Sequence, residues 1–150
     1  MSNPAAQRFV SNWNRIHKDT SRVLRAAPDD KLDWRPKEGM FTMRELISHI
    51  PQAELVLVRS ALAGSDQKVP FDSSRSAEEM ASAFDSQHEE LAGEVSELTA
   101  EQWREEVEFH GRRLRRGVLL SFVTEHEIHH RGQLYTYYRL AGIDAPNLHE

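Results

Sequence analysis

The sequence predicts an all-α fold, a single four-helix bundle spanning residues 1–150. Three observations point there. Four long segments repeat apolar residues at three- and four-residue steps, the spacing of one helix face. Segment starts carry Ser or Thr with Glu or Gln three residues on, so each side chain can satisfy a free backbone N–H of the other's turn. No sustained period-two run and no Asn-Gly or Asp-Gly turn competes, so no strands are expected.

The first helix is expected from about Pro4 to Ala27, with Asn3 as its cap and Pro4 at its first position. Ala6, Val10, Trp13, Ile16, Thr20, Val23 and Ala27 share one face, and Pro28-Asp29-Asp30 stops it. Lys31 to Met40, with Trp34, Pro36 and Gly39, reads as an ordered loop. The second helix begins at the Thr42–Glu45 capping box and ends at Gly64. Its inward face is read as Leu46, His49, Ala53, Val56 or Leu57, and Ser60. Pro51 removes one backbone hydrogen bond inside it and predicts a kink beside His49. After a polar loop, the third helix starts at Ser76, paired with Glu79. Met80, Phe84, Gln87 or His88, Leu91, Val95 and Leu98 form its stripe. Thr99 and Gln102 suggest a short helix through Trp103 and Glu106, with the rest up to Gly111 undecided. The fourth long helix is expected from about Arg115 to Ala141, closed by Gly142. Its seam is read as Leu119, Phe122, His126, His130, Gln133, Tyr137 and Leu140.

Composition narrows the function. The net charge of −5 offers little to a nucleic-acid backbone, and the cluster Arg112, Arg113, Arg115 and Arg116 reads as a solvated loop or helix start. No apolar run approaches the roughly 20 residues of a membrane span, so no membrane partner is expected. The first residues lack the build of a signal peptide, which makes the cytoplasm the expected location. With no cysteine, no protein thiolate can serve as nucleophile or metal ligand.

The chemistry concentrates in histidines. His126 and His130 are four residues apart on one helix face, with β-carbons about 5–6 Å apart, so two imidazoles can converge on one ion. His49 falls on the face of the second helix read as inward and supplies a third. Three neutral imidazoles suit zinc, nickel, iron or copper better than magnesium or calcium. Three protein ligands also leave a coordination position open, as a catalytic ion requires. His129 is read as beside the site or exposed, and His110 and His149 as loop and tail. His17 and His88 sit at the margins of buried stripes.

Two other motifs overlap this region. His126-Glu127-Ile128-His129-His130 fits the H-E-x-x-H of zinc peptidases, with Glu127 as base. Thr136 occupies the position where the extended form needs a histidine, and a downstream glutamate ligand would fall at Glu150. A di-iron carboxylate bundle would pair Glu127 and His130 with Asp85 and His88, plus glutamates from the first two helices. The second helix offers Glu45 and Glu54, but the first has no glutamate, so two metals look short of carboxylates.

The run His126-Glu127-Ile128-His129-His130-Arg131-Gly132-Gln133-Leu134 resembles the last-helix signature of the DinB-like family. The runs Leu32-Asp33-Trp34-Arg35-Pro36 and Thr42-Met43-Arg44-Glu45-Leu46-Ile47-Ser48-His49-Ile50 are similar to that family's approach to its second helix. The likeness covers nearly the whole chain; Pro51 departs from it. It implies a four-helix bundle with one divalent metal on three histidines, which fall on His49, His126 and His130. Some relatives transfer low-molecular-weight thiols. The expectation is therefore a metal-dependent enzyme holding zinc or nickel, or else iron, and moving a thiol cosubstrate onto a small molecule. A metal-dependent hydrolase and a non-catalytic metal-binding stress protein are the alternatives. The resemblance also implies a homodimer, to which apolar residues on more than one helix face, such as Val10 and Tyr138, add support.

Overall fold

The structure is a computed structural model that describes residues 2–149, so Glu150 lies outside the described residues. Its elements are α1 (Pro4–Arg25), α2 (Met43–Ala63), α3 (Ala77–Ser96), the short α4 (Ala100–Arg104), β1 (Glu106–Phe109), β2 (Arg112–Arg115) and α5 (Arg116–Ala141). The sequence's start signals hold in detail. Thr42–Glu45, Ser76–Glu79 and Thr99–Gln102 all close reciprocal capping boxes, and the Asn3 side chain accepts from the Ala6 N–H. The Asn3 amide also donates to the carbonyls of Leu98 and Thr99, which ties the start of α1 to the α3–α4 link.

The four long helices pack as a bundle in which α1 and α2 lie diagonally: α1 touches α3 and α5, and α2 touches the same two. Two apolar clusters fill it. One includes Leu24, Leu46, Ile47, Ile50, Met80, Phe84, Leu134 and Tyr138. The other includes Trp13, Val58, Leu91, Val95, Leu119, Leu120 and Val123. Along α2 the two clusters are separated by Glu54, along α3 by His88, along α5 by Glu127 and along α1 by His17 and Thr20. A buried polar layer thus crosses the bundle between two apolar halves.

Three expectations are corrected. Residues 106–115, where the sequence gives no strand signal and leaves the stretch to Gly111 undecided, form an antiparallel hairpin. Its strands have only four residues each, too short to show alternation, and His110 and Gly111 make the two-residue turn, with φ of 50° and 75°. His is one of the few non-glycine types that tolerate that region, so the turn lacks its usual Asn-Gly signature. Val107 enters the core, and the Glu108 N–H donates to the Gly64 carbonyl, docking the hairpin on the end of α2. In the basic cluster, Arg116 is buried: it donates to the carbonyls of Ala61 and Gln102 and to the Glu105 carboxylate.

The second correction concerns helix faces. The core side of α2 carries Leu46, Ile47, Ile50, Glu54, Val58 and Ala61, and that of α5 carries Leu119, Leu120, Val123, Glu127, Leu134 and Tyr138. Both lie about one residue, or roughly 100°, from the stripes read in the sequence. Phe122 and Leu140 are exposed, at 39% and 63%. The third concerns Tyr138, which is fully buried with its hydroxyl donating to the Val23 carbonyl, so it lends no support to an outward dimer face. The stripes of α1 and α3 match expectation, with His88 rather than Gln87 inward, and α2 continues as one helix across Pro51. Among the described residues no helix is long and apolar enough to cross a membrane.

Candidate metal centre

The rotation of α2 and α5 leaves His49, His126 and His130 half-buried at the margin of the α2–α5 contact rather than in the core. They still meet. His126 and His130 stand one turn apart on α5 with ring centroids 4.3 Å apart, and His49 faces them from α2 at 4.7 and 4.5 Å. The Nε2 atoms of His49 and His126 are 3.0 Å apart, and one potential ligand atom from each of the three rings lies within 4.8 Å of the others. His130 Nδ1 donates to Gln133 Oε1 at 2.7 Å, which holds its Nε2 as the lone-pair nitrogen.

Electrostatics keeps the set neutral. Burial, then the neighbouring His130, His49 and His129, lowers the His126 pKa to about 4. Burial also lowers those of His49 and His130. Neutral imidazoles with free lone pairs are the form a divalent ion binds, so the three residues fit such an ion.

The surroundings define what can approach. A cleft of about 280 Å³ runs from His49 and His126 along Ala53, Val56 and Leu57 to Phe109 and His110 of the hairpin. A second depression, about 550 Å³, shares the walls Gln52, Val56, Phe109 and His110 and reaches Lys68 and Val69. The Phe41 ring lies 5.6 Å from that of His49. A further depression, about 750 Å³, lies between α5 and the segment after it and touches none of the three histidines.

The other sequence candidates separate. Glu127 turns into the core and is 3% exposed, away from its neighbours His126 and His130, so it is not the base of a peptidase-like site. His129 and His149 are exposed, and His110 borders the cleft. His17 and His88 do not join the three histidines. They meet Glu54 in the buried polar layer, a group that could itself hold a metal ion and that sequence reading missed. The signal was present: Glu54 falls between Ile50 and Val58, and His88 between Phe84 and Leu91, each interrupting a core stripe at one turn's spacing.

The profile of the DinB family matches residues 1–150. The chain belongs to the DinB family. It is 24% identical to the uncharacterized protein YjoA of Bacillus subtilis over 144 residues, covering 94% of this chain and 91% of that protein. It is 26% identical to YrdA of the same organism, covering 94% and 86%. A crystal structure of a DinB-like protein from Bacillus cereus superposes with a TM-score of 0.79 at 24% identity, over 93% of this chain and 94% of that one. The crystal structure of YjoA gives 0.77 at 25%, over 94% and 96%. The fold is therefore the DinB-like bundle.

Proposed function

We propose that this chain is a divalent-metal-dependent enzyme acting on a small molecule, a transferase whose sulfur comes from a low-molecular-weight thiol cosubstrate. The observation that carries this reading is the convergence of His49, His126 and His130 at the end of an apolar cleft. The three imidazoles would hold one zinc or nickel ion, with iron a third fit to an all-nitrogen donor set. An ion held there would supply Lewis acidity, the chemistry that activates a thiol or a water near neutral pH.

The chain's own residues supply the remainder. Gln133 accepts from His130 Nδ1 and keeps Nε2 available. Burial holds His126 neutral. Ala53, Val56, Leu57 and Phe109 give an apolar substrate arm a wall from which water is displaced. The sequence has no cysteine, so the sulfur must arrive with a cosubstrate. The peptidase reading is weakened because its candidate base, Glu127, faces the core. We further place the protein in the cytoplasm as a homodimer, with no nucleic-acid or membrane partner. Val118, Phe122, Ile128 and Leu140, exposed on α5, offer apolar surface for pairing.

The test is thiol dependence. Metal-loaded protein is incubated with a panel of electrophiles, with and without low-molecular-weight thiols. Turnover is expected only with a thiol, and is lost in His126→Ala. Ester or amide cleavage without a thiol would transfer the assignment to the hydrolase. Metal binding with neither thiol binding nor turnover would leave a non-catalytic metal-binding protein.

A further inference from the structure

We propose that His17, Glu54 and His88, joined by Glu127, form a second metal site inside the bundle that takes a first-row divalent ion. The inference stands apart from the three-histidine site, whose side chains it does not share.

The first support is placement. Each long helix contributes one member: His17 from α1, Glu54 from α2, His88 from α3 and Glu127 from α5. All four are at least nine-tenths buried, in the layer that divides the two apolar clusters. Polar groups buried at mid-height cost free energy that apolar side chains there would not. Inward Glu and His residues from facing helices are also how carboxylate metal sites are built in other four-helix bundles.

The second support is the hydrogen bonding of the two rings. His17 Nε2 lies 2.8 Å from Asp85 Oδ1, and Asp85 is further held by Ser21 and Arg25. The carboxylate accepts a hydrogen bond from Nε2–H, which makes Nδ1 the lone-pair nitrogen. That Nδ1 is buried with no hydrogen-bond partner among the described residues. His88 Nε2 lies 2.8 Å from Asn14 Oδ1, leaving His88 Nδ1, 3.2 Å from Glu54 Oε2, as its lone-pair atom. Gln87 donates to the other oxygen of Glu54. One donor atom from each of His17, Glu54 and His88 lies within 4.8 Å of the other two.

The third support is Glu127. Both of its oxygens are buried without a hydrogen-bond partner among the described residues; the Thr20 hydroxyl beside it, the one donor able to turn to it, donates instead to the Ile16 carbonyl. The Glu127 oxygens stand outside the 4.8 Å cluster of the other three donors, but Glu127 and Glu54 lie close enough to act on each other electrostatically. Two carboxylates and two imidazoles around a divalent ion make a set of zero net charge, which removes most of the cost of burying either carboxylate. The nitrogen donors exclude magnesium and calcium in favour of iron(II), manganese, cobalt or zinc.

An access route exists. A depression of about 400 Å³ between α1 and α3 reaches His17 and His88, with Lys18, Arg22, Arg25 and Asp85 at its mouth. The three cations there should make loading slow. The rings now stack 3.8 Å apart and 8° from parallel, so their lone pairs run side by side, and a shared ion must turn one ring out of the stack.

The test uses the His126→Ala/His130→Ala double variant, incubated for hours with zinc, dialysed, and examined by elemental analysis and thermal melting. About one zinc per chain is expected, with a melting temperature several degrees above that of the chelated form. Adding Glu54→Gln, which keeps the size and an amide able to reach His88 Nδ1, should abolish both the bound zinc and the shift while leaving the chelated melting point near its starting value. A zinc-free double variant overturns the inference, as does zinc retained after Glu54→Gln. If circular dichroism shows the double variant unfolded, the wild-type stoichiometry decides: two ions per chain support the site and one overturns it. Failure of the three-histidine assignment is distinguishable, because wild type and double variant would then carry the same metal content.

Discussion

Single residues in this bundle pull its acid and base stability in opposite directions. In the chelated protein, burial holds His17, His88 and His126 neutral down to about pH 4, from an ordinary value of 6.5. Between pH 6.5 and 4 the unfolded chain binds more protons than the native one, so stability falls as pH falls. Glu54 and Glu127 work the other way. Burial raises each from 4.5 to about 8, so between those values the native state holds the extra protons and stability falls as pH rises. The histidines outnumber the glutamates where the windows overlap. Melting scans of chelated protein should therefore peak at about pH 6.5, and a monotonic rise to pH 8 would contradict two neutral buried glutamates. The histidine triad was legible in the sequence because ligands on one helix obey its period, as His126 and His130 do. Of the interior group only the interruption of two core stripes by Glu54 and His88 was legible, since His17, Glu54 and His88 lie on three different helices and meet only through packing.

At the scale of elements, helix boundaries were legible and helix faces less so. Capping boxes are local chemistry, and Thr42, Ser76 and Thr99 each close theirs as read. The inward face is decided by neighbours. On α5, Val118, Leu119, Leu120, Phe122 and Val123 offer apolar groups around most of the circumference, so several stripes fit and tertiary packing chose between them. The hairpin was hidden for a related reason: its short strands gain their stability from docking Val107 in the core rather than from their own pattern. One consequence can be measured at the junction of α4 and α5. A β-carbon on Gly117 would collide with the Trp103 indole, which also packs against Phe9. Gly117→Ala should cost about 1–3 kcal/mol by overpacking, read from urea denaturation. Unchanged stability would mean that the indole is free to move.

For the whole molecule, two apolar clusters supply a core that needs no ion to form. Chelation should leave the helical circular dichroism intact and lower the melting temperature, unlike a zinc finger that unfolds without its metal. Loss of helicity on chelation would make the metal structural and count against an enzyme. Light scattering at micromolar concentration should give the mass of a dimer; a monomer mass would remove the proposed pairing through α5. The proposal that His49, His126 and His130 hold a metal is tested most directly by elemental analysis of wild type beside His130→Ala, His110→Ala and His149→Ala, purified together. The expected result is one fewer ion per chain in His130→Ala and no change in the other two. Equal metal content in wild type and His130→Ala would contradict it.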